Sequence, residues 1–139
     1  MMRITVFIVG AAVLFLVSCA HSLPEVRCDD TVTVQGPAEA GPVIAKACQR
    51  YTDSTEASLI ETRRALVGTR VFFSQNGLPP ECGGAPGCVR ITETVAYIYV
   101  KKTGWRAYLP HEIHHILLLR LEPELPPHQH HQRMEELDL

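Results

Sequence analysis

Two neighbouring stretches decide the fold: Val95-Ala96-Tyr97-Ile98-Tyr99-Val100-Lys101 and, past a break at Thr103-Gly104, Pro110-His111-Glu112-Ile113-His114-His115-Ile116-Leu117-Leu118-Leu119-Arg120-Leu121. The first is almost wholly β-branched or aromatic, which predicts a strand. The second reads as a helix, with Pro110 in its first turn, where proline is tolerated, and Pro123 as its stop. Ile113, Ile116, Leu117, Leu118, Leu119 and Leu121 make that helix apolar nearly all round, the mark of a buried one. Three histidines and a glutamate inside such a helix are costly unless they have a purpose.

Working outward, Val43, Ile44, Ala47, Tyr51, Ala57, Ile60 and Leu66 follow a helical period with a weak point at Thr52-Asp53-Ser54. One long helix or two consecutive helices are expected over 42–67, with Asp53 or Ser54 capping the second and Glu56 near its capping-box position. Thr31 to Val34, Arg70 to Phe73 and Val89 to Thr92 read as short strands, and Gln75-Asn76-Gly77 as a turn. The expected class is α+β: an upstream helix, a small, mostly antiparallel sheet, and the histidine-bearing helix packed on it.

His111 and His115 are four residues apart, so their side chains lie one turn apart on the same helix face. Two imidazoles so placed can bind one tetrahedral zinc. Glu112 is rotated by about 100°, beside the metal rather than on it, where it can act as general base toward a metal-activated water. His114 falls on the other side of His111 and is expected to support packing. All seven histidines of the chain except His21 follow Pro110.

His111-Glu112-Ile113-His114-His115 resembles H-E-x-x-H, the signature of the zincin metallopeptidases. The resemblance implies a zinc-dependent hydrolase of peptide or amide bonds, with a peptide or protein as substrate, His111 and His115 as metal ligands and Glu112 as catalytic base. It also implies a strand ahead of the helix that lines the substrate cleft. The Gly and His continuation of the metzincins is absent from Ile116 to Leu121. The third ligand is sought in His128-Gln129-His130-His131, with His128 ranked first and His130 and His131 as alternatives. Glu135 or Glu136 would serve in a gluzincin-like arrangement. Tyr97, Tyr99 and Trp105 are candidate cleft walls, and Tyr108 and Arg133 candidate oxyanion stabilisers. The other functional class is a zinc-binding protein without catalysis, which has no need of a carboxylate at 112.

At the N-terminus a short basic start, Met1-Met2-Arg3, precedes an uncharged apolar run from Ile4 to Val17. That run is short for a membrane span of about 20 residues and suits an export signal. Leu16-Val17-Ser18-Cys19 resembles the lipobox of bacterial lipoproteins, which implies removal of residues 1–18 and a lipid on Cys19 that holds the protein to the membrane. By that resemblance the protein belongs to the bacterial cell envelope, and in a Gram-negative cell to the outer membrane facing the periplasm. Residues 19–41 then read as a tether and the edge of the domain, and 42–139 as the zincin-like domain.

Setting Cys19 aside leaves four of the five cysteines, an even set in a compartment where disulfides persist. Gly83, Gly84, Pro86 and Gly87 let the chain turn tightly, which favours Cys82 with Cys88 and leaves Cys28 with Cys48. A structural zinc site is the rival, and the five residues between Cys82 and Cys88 exceed its usual spacing. With 13 Lys and Arg against 15 Asp and Glu and no basic stripe, nucleic acid is not an expected partner. A monomer is expected.

Overall fold

A computed structural model describes residues 25–139. The signal segment and the lipidation at Cys19 lie outside the described residues. The elements run β1 (Val32–Gln35), α1 (Ala40–Ser54), α2 (Leu59–Ala65), β2 (Thr69–Ser74), β3 (Gly87–Ile91), β4 (Ala96–Lys101), α3 (Trp105–Leu121) and α4 (His130–Glu136), with short 3-10 turns before β1, between β2 and β3 and between α3 and α4. The class is α+β, as the mixture of strand-like and helix-like periods predicts.

The sheet departs from the expectation of a mostly antiparallel arrangement. Its order is β1-β2-β4-β3, with β1–β2 and β2–β4 parallel and only β3–β4 antiparallel. The reason lies in the connections. A parallel pair needs a long crossover, and α1 with α2 supplies it between β1 and β2. Only β3 and β4 are joined by a tight turn, in which the Thr92 N–H donates to the Val95 carbonyl at 2.9 Å. β4 therefore sits inside the sheet and β3 at its edge.

Side chains alternate across the sheet. Val71, Ala96, Ile98 and Val100 are fully buried and join Ile44, Ala47 and Tyr51 of α1 and Leu109, Ile113, Ile116 and Leu117 of α3 in one core. The other face carries Phe72, Tyr97 and Tyr99, half-buried and stacked on one another with centroids 5.5–6.5 Å apart.

The helical region breaks into two, at a position other than the expected one. Thr55 is extended, and α2 is capped by Ser58, not by Asp53 or Ser54. Ser58 Oγ accepts from the Glu61 N–H at 3.2 Å while Glu61 Oε2 accepts from the Ser58 N–H at 2.7 Å. This reciprocal capping box takes the place of the one expected between Asp53 or Ser54 and Glu56.

α3 also starts earlier than expected. Gly104, with φ 79°, turns the chain out of β4, and the helix begins at Trp105 with Pro110 inside it. Pro110 cannot donate to the Arg106 carbonyl. Arg106 is exposed, so the lost bond falls at the wet start of the helix.

Both expected disulfides are present, Cys28–Cys48 and Cys82–Cys88. Cys28 and Cys48 are 1% and 0% exposed, so the packed domain begins well before residue 42, with β1 as an edge strand of its sheet. Among the described residues no helix is long and apolar enough to cross a membrane.

Candidate metal centre

α3 spans the sheet beneath β3 and β4, and its buried face is set by Leu109, Ile113, Ile116 and Leu117. The helical period then leaves His111 and His115 on the side facing away from the core, with His111 exposed and His115 half-buried. After Leu121 the chain reverses through Glu122 to Gln129, and α4 returns its first residues to that side. Glu122 secures the reversal. Its carboxylate accepts from Arg133 Nε of α4 at 2.9 Å and from Tyr51 Oη of α1 at 3.1 Å.

The consequence is a triangle of imidazole nitrogens. Nε2 of His111 lies 3.2 Å from Nε2 of His131, Nε2 of His115 lies 3.2 Å from that of His111, and His115 and His131 are 3.1 Å apart by the same atoms. Hydrogen bonds cannot account for all three contacts. Each Nε2 of a neutral imidazole is either donor or acceptor, so at least two of three must be alike, and their contact pairs like with like. A cation accepting three lone pairs removes the conflict. Nitrogens about 2.0–2.1 Å from a tetrahedral ion are spaced about 3.3 Å from one another, close to what is found. His111, His115 and His131 could therefore hold a metal ion.

The electrostatics favour neutral ligands, which metal binding requires. Burial, reinforced by the neighbouring histidines, pushes His115 down to about 3, and burial followed by the nearby His131 lowers His111.

Glu112 is 6% exposed, and among the described residues it makes no hydrogen bond and no ion pair. Burial pushes its carboxyl up to about 7. A buried carboxyl with no partner is expensive, and this one opens on a cleft of about 730 Å³. The cleft is walled by Pro86, Gly87 and Val89 along β3, by Tyr108 and Leu119 of α3, and by Pro127. Among the described residues Glu112 is the only carboxylate that lines the cleft, and no Lys or Arg does.

Other sites expected from the sequence fall elsewhere. His128 is exposed in the turn Pro127–Gln129 and is not part of the nitrogen cluster, which takes His131 instead. His130 is 1% exposed, behind His115 rather than in the triangle. His114 is turned to α1, its Nε2 3.0 Å from the Ala47 carbonyl, and burial pushes it down to about 4, consistent with a packing role. Glu135 and Glu136 are exposed on α4 and outside the cluster. Tyr97 and Tyr99 lie on the opposite face of the sheet, and Trp105 is buried edge-on against Phe73, 5.3 Å between centroids; none lines the cleft. Tyr108 does line it, whereas Arg133 is engaged by Glu122.

Gly87 is the residue that sequence reasoning missed. It was read only as a turn-former between Cys82 and Cys88, yet it begins β3 and lies against the Glu112 carboxylate. No family model, curated protein or solved structure matches the chain.

Proposed function

We propose that the protein is a zinc-dependent hydrolase of peptide or amide bonds, of the zincin type, with zinc held by His111, His115 and His131 and Glu112 as general base. The observation that carries this reading is the conjunction of the three-nitrogen triangle with a buried, unpartnered carboxylate on the adjacent residue of the same helix. A site that merely stored metal would not need Glu112.

His111, His115 and His131 would hold the zinc, with three protein ligands as catalytic rather than structural sites have, and the ion would supply Lewis-acid activation of a water and of the scissile carbonyl. Glu112 is placed to accept a proton from the attacking water and to return it to the leaving amine. The cleft wall of β3 gives a peptide an edge to lie along, and the uncharged walls favour apolar over charged side chains. Tyr108 is the remaining candidate for stabilising the developing oxyanion.

The two disulfides accord with an oxidising compartment. With the export signal and lipobox of the first 19 residues, they support a lipid-anchored protein of the bacterial envelope, and its substrate is then a peptide or protein in the same compartment.

Glu112→Ala separates enzyme from binder. The variant is expected to keep zinc and lose hydrolysis of a general peptide substrate by about 100-fold or more. Zinc-loaded wild-type protein that cleaves none of a broad peptide mixture would instead be a zinc-binding module.

A further inference from the structure

His130 is the first residue of α4, and its ring is 1% exposed. It touches the metal centre from behind: its Nδ1 lies 3.3 Å from Nδ1 of His115, with the ring centroids 5.5 Å apart and the planes inclined by 33°. Among the described residues its buried Nε2 makes no hydrogen bond of ordinary geometry, although the Leu125 backbone lies close to the ring.

A neutral imidazole carries one N–H and one lone pair, and this fixes the pair once His115 binds metal. If His115 Nε2 presents its lone pair to the cation, its hydrogen must sit on Nδ1. That N–H faces His130 Nδ1, which must then accept it, and the hydrogen of His130 is left on Nε2. The opposite assignment, with His130 Nδ1–H donating, puts a hydrogen on His115 Nε2, pointing into the triangle and excluding a cation.

We propose that His130 is a positioning residue for the metal centre, holding His115 in the Nδ1–H tautomer and aiming its Nε2 at the ion. The inference rests on the metal-site reading given above. Metal-binding histidines as a rule donate their second N–H to a carboxylate, carbonyl or water. Here another imidazole takes that place, and the burial of His130 is the structural expense of having it there. The adjacent His131 projects about 100° away around α4, so one helical turn supplies both a ligand and the support of another ligand.

The test uses the disulfide-intact chain, stripped of metal and titrated with zinc against a chromophoric chelator. Asparagine can place an amide oxygen near the position of the histidine Nδ1, whereas leucine offers only bulk. His130→Leu is expected to weaken zinc binding about 10- to 100-fold and His130→Asn to stay within about threefold of wild type. Imidazole nitrogen–proton correlation spectra of the zinc-loaded wild type should show His115 protonated at Nδ1 and His130 at Nε2. The inference is overturned if His130→Leu binds zinc like wild type, if Asn and Leu weaken binding equally, or if His130 is protonated at Nδ1 in the zinc form. Should the Leu variant fail to fold, the Asn variant and the wild-type spectra decide. A folded wild type that binds no zinc overturns the metal site and this inference together. Binding lost in His131→Ala and kept in His130→Leu overturns this inference alone.

Discussion

Gly87 of β3 lies directly against Glu112 of α3: a β-carbon on residue 87 would stand 2.7 Å from Glu112 Oε1 and 3.1 Å from its Cγ. Separations under about 3.0 Å are essentially never tolerated by real side chains, so either the carboxylate or the strand must move. The backbone of Gly87 is not among the positive-φ glycines, so the requirement for glycine here is one of space alone. Edge strand β3 and helix α3 are thus in contact at the carboxylate proposed as the base.

Gly87→Ala is therefore expected to act on chemistry rather than on metal. The Glu112 carboxylate must shift by roughly 0.5 Å, an offset in a reacting group that costs on the order of 10-fold in rate, while His111, His115 and His131 on α3 and α4 are untouched. Hydrolysis should fall with zinc affinity unchanged. Parallel activity and zinc titrations of the variant check this, and equal activity would show that Glu112 is free to shift without consequence.

The Cys28–Cys48 bridge closes a loop with a sequence separation of 20 and ties the segment before β1 to the middle of α1. Loop-closure entropy puts its contribution at about 3 kcal/mol. Replacing both cysteines by serine is expected to lower the thermal midpoint by about 10 °C or more, measured on the metal-free protein so that zinc binding does not mask the loss.

Thr69 is 1% exposed at the start of β2, and among the described residues its Oγ1 has no hydrogen-bond partner. Valine has the same branched shape without the hydroxyl. Removing a buried unsatisfied polar group while keeping its volume is expected to stabilise the fold by about 1 kcal/mol, read as a raised denaturant midpoint with unchanged slope. A destabilised Thr69→Val would mean that the hydroxyl finds a partner in solution.

Much of this arrangement is legible in the sequence because it is local. Val95 to Lys101 and the apolar positions around His111 to His115 identify β4 and α3 by period alone, and the glycine-rich loop identifies Cys82–Cys88. The parallel pairings of β1, β2 and β4 are not legible, since they depend on where α1 and α2 carry the chain, which no strand records. Ser58 was passed over because the Thr52 to Ser54 interruption drew the cap too early. That His131 rather than His128 joins His111 and His115 in the nitrogen cluster is not legible either, for a related reason. His130, Met134 and Leu137 follow an i, i+4, i+7 spacing that marks His130 as the inward position of a short helix and turns His131 aside from it. The cluster His128-Gln129-His130-His131 masks that period, and the resemblance, which implies only a histidine in the loop after the motif helix, does not separate His131 from His128 and His130.

The central claim is that His111, His115 and His131 form one zinc site, and zinc stoichiometry tests it most directly. One equivalent of tightly held zinc per chain is expected for the wild type, retained by His128→Ala and lost, or weakened at least about 100-fold, by His131→Ala, as removal of one of three protein ligands requires. A folded wild-type chain that binds no zinc, or a His131→Ala variant that binds as the wild type does, would contradict it.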